Sequence, residues 1–480
     1  MVKEPQYQPV TPAIAQELRE IVGEKYVLYR DAEKLEPFSH DEIPGTEYRA
    51  MPEAVVRPET AAEIARIVQL ANREKIPLTP RGAGSGLSGG AVPIYGGIVI
   101  SVDRMNHILE LDRDNLMITV EPGVIANDIN EYIREYGLFY AGYPMSMETC
   151  YIGGNVAENA GGGKAVKYGV TSRYVLGLEV VTPTGEIVEL GGKLLKDVTG
   201  YNMVQLMVGS EGTLGFFTKI ILKLIPRPKY QVDLLCLFPD SETAIKTVPA
   251  IMTGSGYIPT SIEFMDRASV KASCDYLNET IPYQQCGAML LISVDGMEKE
   301  QLEREYESIG QFCRQNGAQE IYVADNPSTT ERIWRIRRNI AEAYNLFSRR
   351  QSGEDIVVPP ASIPIMVAEF ERLAAKYRLN IPCFGHAGDG NLHARVVSDP
   401  AWTDEYWHEI LPQILTEIYC RTAACGGRIS GEHGIGHKRK KYMRTVVSEE
   451  YLNLLRAVKR AFDPNHIMNP GKIFDLEEKE

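Results

Sequence analysis

Read on its own, the sequence predicts an α+β fold in more than one domain, and three observations carry that expectation. Between residues 76 and 225, short β-branched runs alternate with glycine, as in "NLMITVEPG" and "GFFTKIILKLI". Past Pro226-Arg227-Pro228 the texture changes to two strand–helix–strand phrases, "YQVDLLCLF … SETAIKTVPAIMTG … TSIEFMD" and "AMLLISVD … EQLEREYESIGQFCRQNG … EIYVAD". A chain of 480 residues is also longer than one hydrophobic core organises.

In chain order, "TPAIAQELREIVG" reads as a helix with Thr11 as N-cap and Pro12 at its first position. A second helix starts at Thr60, where Thr60-Ala-Ala-Glu63 has the form of a capping box. Ile64, Ile67, Val68 and Ala71 form its apolar face. The β-rich stretch follows, and then an α/β layer expected to carry its helices on one side. The closing "FDPNHIMNPGKIFD" is loop-rich and is expected to cross back to the first domain. The expected partition is 1–47, a helical N-terminal segment; 48–227, the glycine-rich domain; 228–425, the α/β domain; and 426–480, a returning C-terminal segment.

Composition narrows the function classes. A formal net charge of −13 disfavours nucleic acid and anionic membrane surfaces as partners. No apolar run approaches a transmembrane segment, and "MVKEPQYQPV" has no signal core, so the expected location is cytoplasmic. The 8 cysteines are scattered without a C-x-x-C pair, which argues against an internal iron–sulfur cluster or zinc ribbon.

The stretch "PRGAGSGLSGG" contains Gly84-Ser-Gly-Leu-Ser-Gly89, a G-x-G-x-x-G match. A Rossmann reading requires a helix to start there. Pro93 and Gly96-Gly97 oppose one, and Ile98–Val102 reads as a strand, so the loop runs from strand to strand. Gly82, Gly84, Gly86, Gly89 and Gly90 let successive amides turn toward one anion, and Arg81 adds charge. A second cluster holds Gly153-Gly154-Asn155 and Gly161-Gly162-Gly163, and a third is "VGSEGTLGFFTKI". Together they point to a long ligand lying extended across a sheet.

A different chemistry is written in "CFGHAGDGNLHAR". Asp389-Gly390 has the form of a two-residue hairpin turn, which would set His386 directly opposite His393 with Asn391 on the same side. "GEHG" adds Glu432 and, next to it, His433. Two histidines and a carboxylate can hold zinc, manganese or iron(II) and leave positions open for substrate. His437 is expected to be structural, because Gly434 and Gly436 break the helical spacing from His433.

The motifs "PRGAGSGLSGG", "TCYIGGNVAENAGG", "DVTGYNMVQLMVGSEGTLGFFTKIILKLIPRP" and "FDPNHIMNPGKIF" resemble FAD-linked D-2-hydroxyacid dehydrogenases. That family includes the glycolate oxidase FAD subunit, D-lactate dehydrogenases and D-2-hydroxyglutarate dehydrogenases, within the vanillyl-alcohol-oxidase and p-cresol-methylhydroxylase superfamily. The resemblance implies a two-part FAD-binding domain and a cap domain with an antiparallel sheet. It implies that Arg81, Gly82, Ala83, Gly84, Ser85, Gly86 and Leu87 line the FAD pyrophosphate. Pro144, Ser146, Thr149, Gly153, Gly154, Asn155 and Asn159 would lie along the cofactor, Glu211 and Gly212 near its adenosine, and Asn469 in the returning segment. No histidine stands between His40 and His107, so FAD is expected without a covalent link. Tyr143-Pro144-Met145 replaces the related "DPS", a departure near the flavin ring.

The same resemblance implies His386, His393 and Glu432 as metal ligands and His433 as general base, with Asn391 in the catalytic set. Arg337, three residues after Trp334, would bind the substrate carboxylate. Ala341 stands where relatives with larger substrates have threonine, which favours D-lactate, then glycolate, over D-2-hydroxyglutarate. Hydride would pass to flavin N5, and electrons to an electron-transferring flavoprotein or an iron–sulfur subunit. Competing readings are a flavin-carrying electron-transfer subunit without substrate oxidation of its own, an iron(II) oxygenase, and ether-lipid synthesis on a related fold.

Overall fold

The computed structural model describes residues 7–348 and 350–475. The chain divides into two compact units. One takes the residues up to Ala160, Val170–Arg227 and those from His433 onward; the other takes Gly161–Gly169 and Pro228–Glu432. The crossing at 227/228 falls in Pro226-Arg227-Pro228. The C-terminal return begins at His433 rather than at 426, and Gly161–Gly163 separate from the rest of the second glycine cluster.

In the first unit, helix Pro12–Val22 opens on Thr11, whose hydroxyl accepts from Ile14 N at 3.3 Å. Thr60 caps helix Ala61–Glu74 by accepting from Glu63 N at 3.2 Å. The expected capping box closes differently: the Glu63 carboxylate accepts from Glu59 N, at 2.7 Å, one residue further out. Both helices bury Ile14, Leu18, Ile64, Ile67 and Val68 against a four-stranded sheet. Its strands are β1 (Val27–Tyr29), β2 (Ala54–Val56), β3 (Leu78–Arg81) and β4 (Ile98–Ser101), in the order β1-β2-β4-β3. The described part of the expected segment 1–47 therefore does not stand apart, since helix Pro12–Val22 and β1 share this core. Strands β3 and β4 are parallel yet joined without a helix, which removes the Rossmann topology. The C-terminal segment pairs with the edge of β3, with Leu78 N donating to Ile467 O and Asn469 N to Leu78 O, each at 2.7 Å.

A five-stranded antiparallel sheet completes this unit. It comprises β5 (Ile108–Asp112), β6 (Met117–Val120), β7 (Val175–Val181), β8 (Ile187–Gly191) and β9 (Phe216–Lys223), in the order β5-β6-β9-β7-β8.

The second unit is built on seven antiparallel strands: β10 (Tyr230–Phe238), β11 (Ser261–Asp266), β12 (Ala288–Gly296), β13 (Glu320–Ala324), β14 (Gln351–Val357), β15 (Cys383–His386) and β16 (Asn391–Val397). Their order is β13-β10-β12-β11-β15-β16-β14. Helices cover both faces, not one. Leu235, Leu237, Met265, Met289 and Leu291 meet Val270, Cys274, Ile333 and Ile336 on one face. Leu234 points the other way and meets Gly310 of helix Lys299–Gln315. Nearly every residue of β10, β11 and β12 is buried, the pattern of a sheet covered on both sides.

Candidate active site

The first glycine loop leaves β3 at Arg81, keeps residues 82–87 at or near the surface, and buries Ser88, Gly89 and Gly90. Positive φ at Gly84 (77°) and Gly89 (76°) turns the chain. Gly82 lies against Gly154, where a Cβ would stand 3.7 Å from the Gly154 amide nitrogen; a Cβ on Gly154 would meet nothing within 4 Å. Among the described residues, the amides of 82–87 donate to no backbone or side-chain acceptor. A run of unengaged amides between two glycine stretches fits a pyrophosphate.

Several side chains expected on the cofactor are engaged elsewhere. The Arg81 guanidinium is buried under the loop, donating to His40 O (2.8 Å), Pro37 O (3.0 Å) and Ala91 O (3.4 Å). It braces the loop from behind rather than reaching for phosphate. Asn155 donates to Cys150 Sγ, and Asn159, at φ 53°, accepts from Ser172 N at 2.9 Å. Thr149 donates twice to Ser146 O within an exposed turn after the half-buried Pro144. The Glu211 carboxylate is filled by Ile435 N and Gly436 N, and Asn469 Nδ2 ties Gly90 O to Glu211 O. Gly212 next to it has φ 66°.

In the second unit the hairpin forms with a register two residues away from the expected one. Phe384 pairs with His393 and Cys383 with Ala394, so His386 and His393 are not directly opposed. A two-residue turn of the expected type needs positive φ at both central residues. Gly390 has it (90°), whereas Asp389 does not, and a four-residue turn, Ala387–Gly390, forms instead. Because the slip is two residues and not one, both imidazoles keep the same face. Their ring centroids are 5.3 Å apart, nearly perpendicular.

Both imidazoles converge on one oxygen. His386 Nε2 is 3.5 Å and His393 Nε2 is 3.3 Å from Glu432 Oε1. His386 Nδ1 hydrogen-bonds Glu263 Oε1 at 2.7 Å, so that the carboxylate accepts from Nδ1 and Nε2 is the nitrogen directed at Glu432. Burial works against a charge on His386, yet Glu263 and Glu432 together hold its pKa well above the ordinary value. The place attracts positive charge. Asp355 brings a carboxylate oxygen within 4.8 Å of the ligand atoms of His393 and Glu432. It is already saturated: Oδ1 accepts from Asn391 Nδ2 (2.7 Å), and Oδ2 from Ser430 Oγ (2.7 Å), Gly431 N (3.0 Å) and Glu432 N (3.1 Å). Asp355 thus orients Asn391 and Glu432 rather than competing as a ligand. Asn391 Oδ1 is left buried without a hydrogen bond. Two Nε2 lone pairs, a carboxylate and an orphaned carbonyl oxygen make a donor set that fits a divalent cation. Asp389, in the turn, has its pKa pushed up to about 7, first by burial.

Arg337 lies 3% exposed on the inner face of helix Pro327–Arg338. Its Nε and Nη2 meet Glu263 Oε2 at 2.8 and 2.7 Å, with the guanidinium 5.1 Å above the Phe384 ring. The expected carboxylate-binding arginine is therefore already paired with a protein carboxylate. His433 follows Glu432 directly and opens the C-terminal segment of the first unit. His437 is held by its backbone, donating to Ser88 O at 3.0 Å. Glu263 and Asp355 lie outside the sequence expectations, although a lone acid inside "SIEFM" and a pair of acids opening "EDIVV" are usable signals.

Residues 52–191 match the family described as "FAD binding domain" and residues 227–473 the one described as "FAD linked oxidases, C-terminal domain". The chain is similar to glycolate oxidase subunit GlcD of Bacillus subtilis (strain 168), 39% identical over 465 residues and covering 97% of each chain. It is similar to D-lactate dehydrogenase of Anaerostipes hadrus, 38% identical over 477 residues, 98% of this chain and 99% of the relative. The solved structure of p-cresol methylhydroxylase with substrate bound shares the fold, with a TM-score of 0.80 over 97% of both chains at 19% identity.

Proposed function

This chain belongs to the FAD-linked oxidases and is an oxidoreductase of the GlcD and D-lactate dehydrogenase type, and from that premise we propose that it oxidises a small D-2-hydroxy acid, D-lactate before glycolate, to the 2-oxo acid. The observation that carries the proposal is the convergence of His386 and His393 Nε2 on Glu432 Oε1. The amides of residues 82–87 with Gly154 would hold FAD without a covalent link, whereas the expected Gly153 amide already donates to Pro122 O at 2.8 Å; His386, His393 and Glu432 would hold zinc, manganese or iron. Bound there, the flavin supplies a hydride acceptor and the cation supplies charge that lowers the substrate hydroxyl's pKa.

The protein's own groups have distinct tasks. His433 takes the hydroxyl proton on an imidazole nitrogen. Glu263 keeps the His386 proton on Nδ1 and holds Arg337 in place. With Nε and Nη2 on Glu263, Nη1 is the arginine nitrogen left for a substrate carboxylate. Asn391, fixed through Nδ2, presents its carbonyl oxygen to the site. Ala341 packs against the core formed with Ile336 and Ile340 and offers no hydroxyl to a second carboxylate.

Electrons leave through a partner, an electron-transferring flavoprotein before an iron–sulfur subunit, and the enzyme works in the cytoplasm. All 8 cysteines are free, and no helix among the described residues is long and apolar enough to cross a membrane.

Stopped-flow flavin reduction by D-lactate, L-lactate, glycolate and D-2-hydroxyglutarate, with and without chelator, tests this. D-lactate should reduce fastest, and verified metal removal should slow it by about 100-fold or more, in line with several kcal/mol of charge stabilisation. Rates indifferent to the metal would sink the catalytic cation. No bleaching by any 2-hydroxy acid would make the chain an electron-transfer subunit.

A further inference from the structure

Residues 434–439, which directly follow Glu432 and His433, are gripped by the ends of the glycine loops. The amides of His437 and Lys438 both donate to Ser88 O at 3.0 Å, and Arg439 Nη1 donates to Leu87 O (3.3 Å) and Gly434 O (3.1 Å). Glu211, 6% exposed and held at φ 51°, spreads its carboxylate over two amides: Oε1 accepts from Ile435 N at 2.7 Å and Oε2 from Gly436 N at 2.6 Å. Glu158 closes on the same turn. A Cβ on Gly434, which has φ 86°, would stand 1.9 Å from Glu158 Oε2 and 3.2 Å from Glu211 Oε1.

The two carboxylates are not equivalent. Glu211 has two amide donors. Glu158 has the Ser88 hydroxyl on Oε1 at 3.2 Å, while its Oε2 is buried without a hydrogen bond. Two acids facing one turn resist double ionisation, and the donors favour the charge on Glu211 and the proton on Glu158. Burial, then the neighbouring Glu211 charge, raises Glu158 well above the ordinary glutamate value; Asp41 adds to this, and Arg439 offsets part of it. Burial raises Glu211 as well, but the Ile435 and Gly436 amides, then Lys472 and Arg439, offset part of it in favour of the charged form.

We propose that Glu211 is a positioning residue for His433, its carboxylate kept in place by a proton held on Glu158. The proposal rests on the reading of His433 as base. Its pH sense follows from the direction of the Glu158 shift: a raised acid makes its contribution in full at low pH and loses it as pH climbs through the folded-state value. There the second charge appears, the pair repels, and the 434–436 turn loosens.

Hydrogen exchange by mass spectrometry on the holoenzyme, over peptides spanning 434–437, reads the clamp directly. Flavin reduction by D-lactate reads its consequence. Glu211→Gln offers one acceptor oxygen to two amides, so exchange at 435 and 436 should rise about 10- to 100-fold, the range for losing a hydrogen bond to a charged group. Flavin reduction should slow at unchanged KM with FAD retained. In the wild type, protection corrected for intrinsic exchange should fall with rising pH; Glu158→Gln, neutral at every pH, should abolish that dependence. Wild-type protection in Glu211→Gln overturns the clamp whatever His433 does. Loosened exchange at an unchanged reduction rate overturns positioning if His433→Ala is slow, and overturns the base reading if His433→Ala is equally unchanged. If Glu211→Gln does not fold, identical pH profiles for wild type and Glu158→Gln overturn the proposal.

Discussion

Glu263 enters the site from the middle of an apolar strand, fully buried, with one oxygen on His386 and the other on Arg337. Burial alone would raise its pKa, but the charges of Arg337 and His386 outweigh that and hold it below the ordinary value. One carboxylate thus sets the tautomer of a metal-ligand candidate and neutralises a guanidinium that is 3% exposed. Removing it separates two effects. Glu263→Ala strands Arg337 as an uncompensated buried charge, and should cost about 3–5 kcal/mol of stability in urea unfolding. Glu263→Gln keeps the shape but not the charge, and should weaken metal binding by about 10- to 100-fold, as loss of a ligand's supporting partner does. A folded Glu263→Gln protein that titrates metal like the wild type would show that the His386–Glu263 contact is packing only. Little of this was legible beforehand, because Glu263 meets His386 across strands more than a hundred residues apart in sequence.

The hairpin of β15 and β16 shows which part of an element its sequence reveals. Side chains on a strand alternate with a period of two, so the shared face of His386, Asn391 and His393 survived an error of two residues in register. The turn itself was not legible, since Asp-Gly reads as a tight turn and the backbone here makes a wider one. Gly390 is where that turn is enforced: φ is 90°, and a Cβ would sit 1.9 Å from Val358 O. Gly390→Ala should therefore cost about 1–3 kcal/mol through backbone strain and displace Asn391 and His393 enough to lower metal content. Wild-type stability together with wild-type metal content would show that the turn relaxes freely. Gly163 imposes a similar constraint from the crossing segment 161–169, where a Cβ would stand 2.4 Å from Glu263 Oε1. The glycine pattern was read for an anion, but at this position glycine makes room for a protein carboxylate.

At the scale of the whole molecule, the chain assigns its chemistry to separate cores. The donor atoms of His386, His393 and Glu432 lie in the second unit, while the amides of residues 82–87 and the 434–439 turn lie in the first. The Pro226-Arg227-Pro228 border was readable because two prolines end one texture and begin another. The crossing at 161–169 was hidden inside a glycine cluster with no compositional change. This division predicts how ligands stabilise the protein. A cation at about 100 times its dissociation constant adds about 2.7 kcal/mol to whatever folds with it. That stabilisation should fall on the second unit, so chelation should raise hydrogen exchange in β14, β15 and β16 while leaving β4 and β7 at their wild-type rates. FAD removal should do the reverse, loosening β3, β4 and the 434–437 peptide first. Equal loosening of both units on chelation would mean that the two cores unfold as one cooperative body, and the cation's stabilisation could then not be assigned to its own unit.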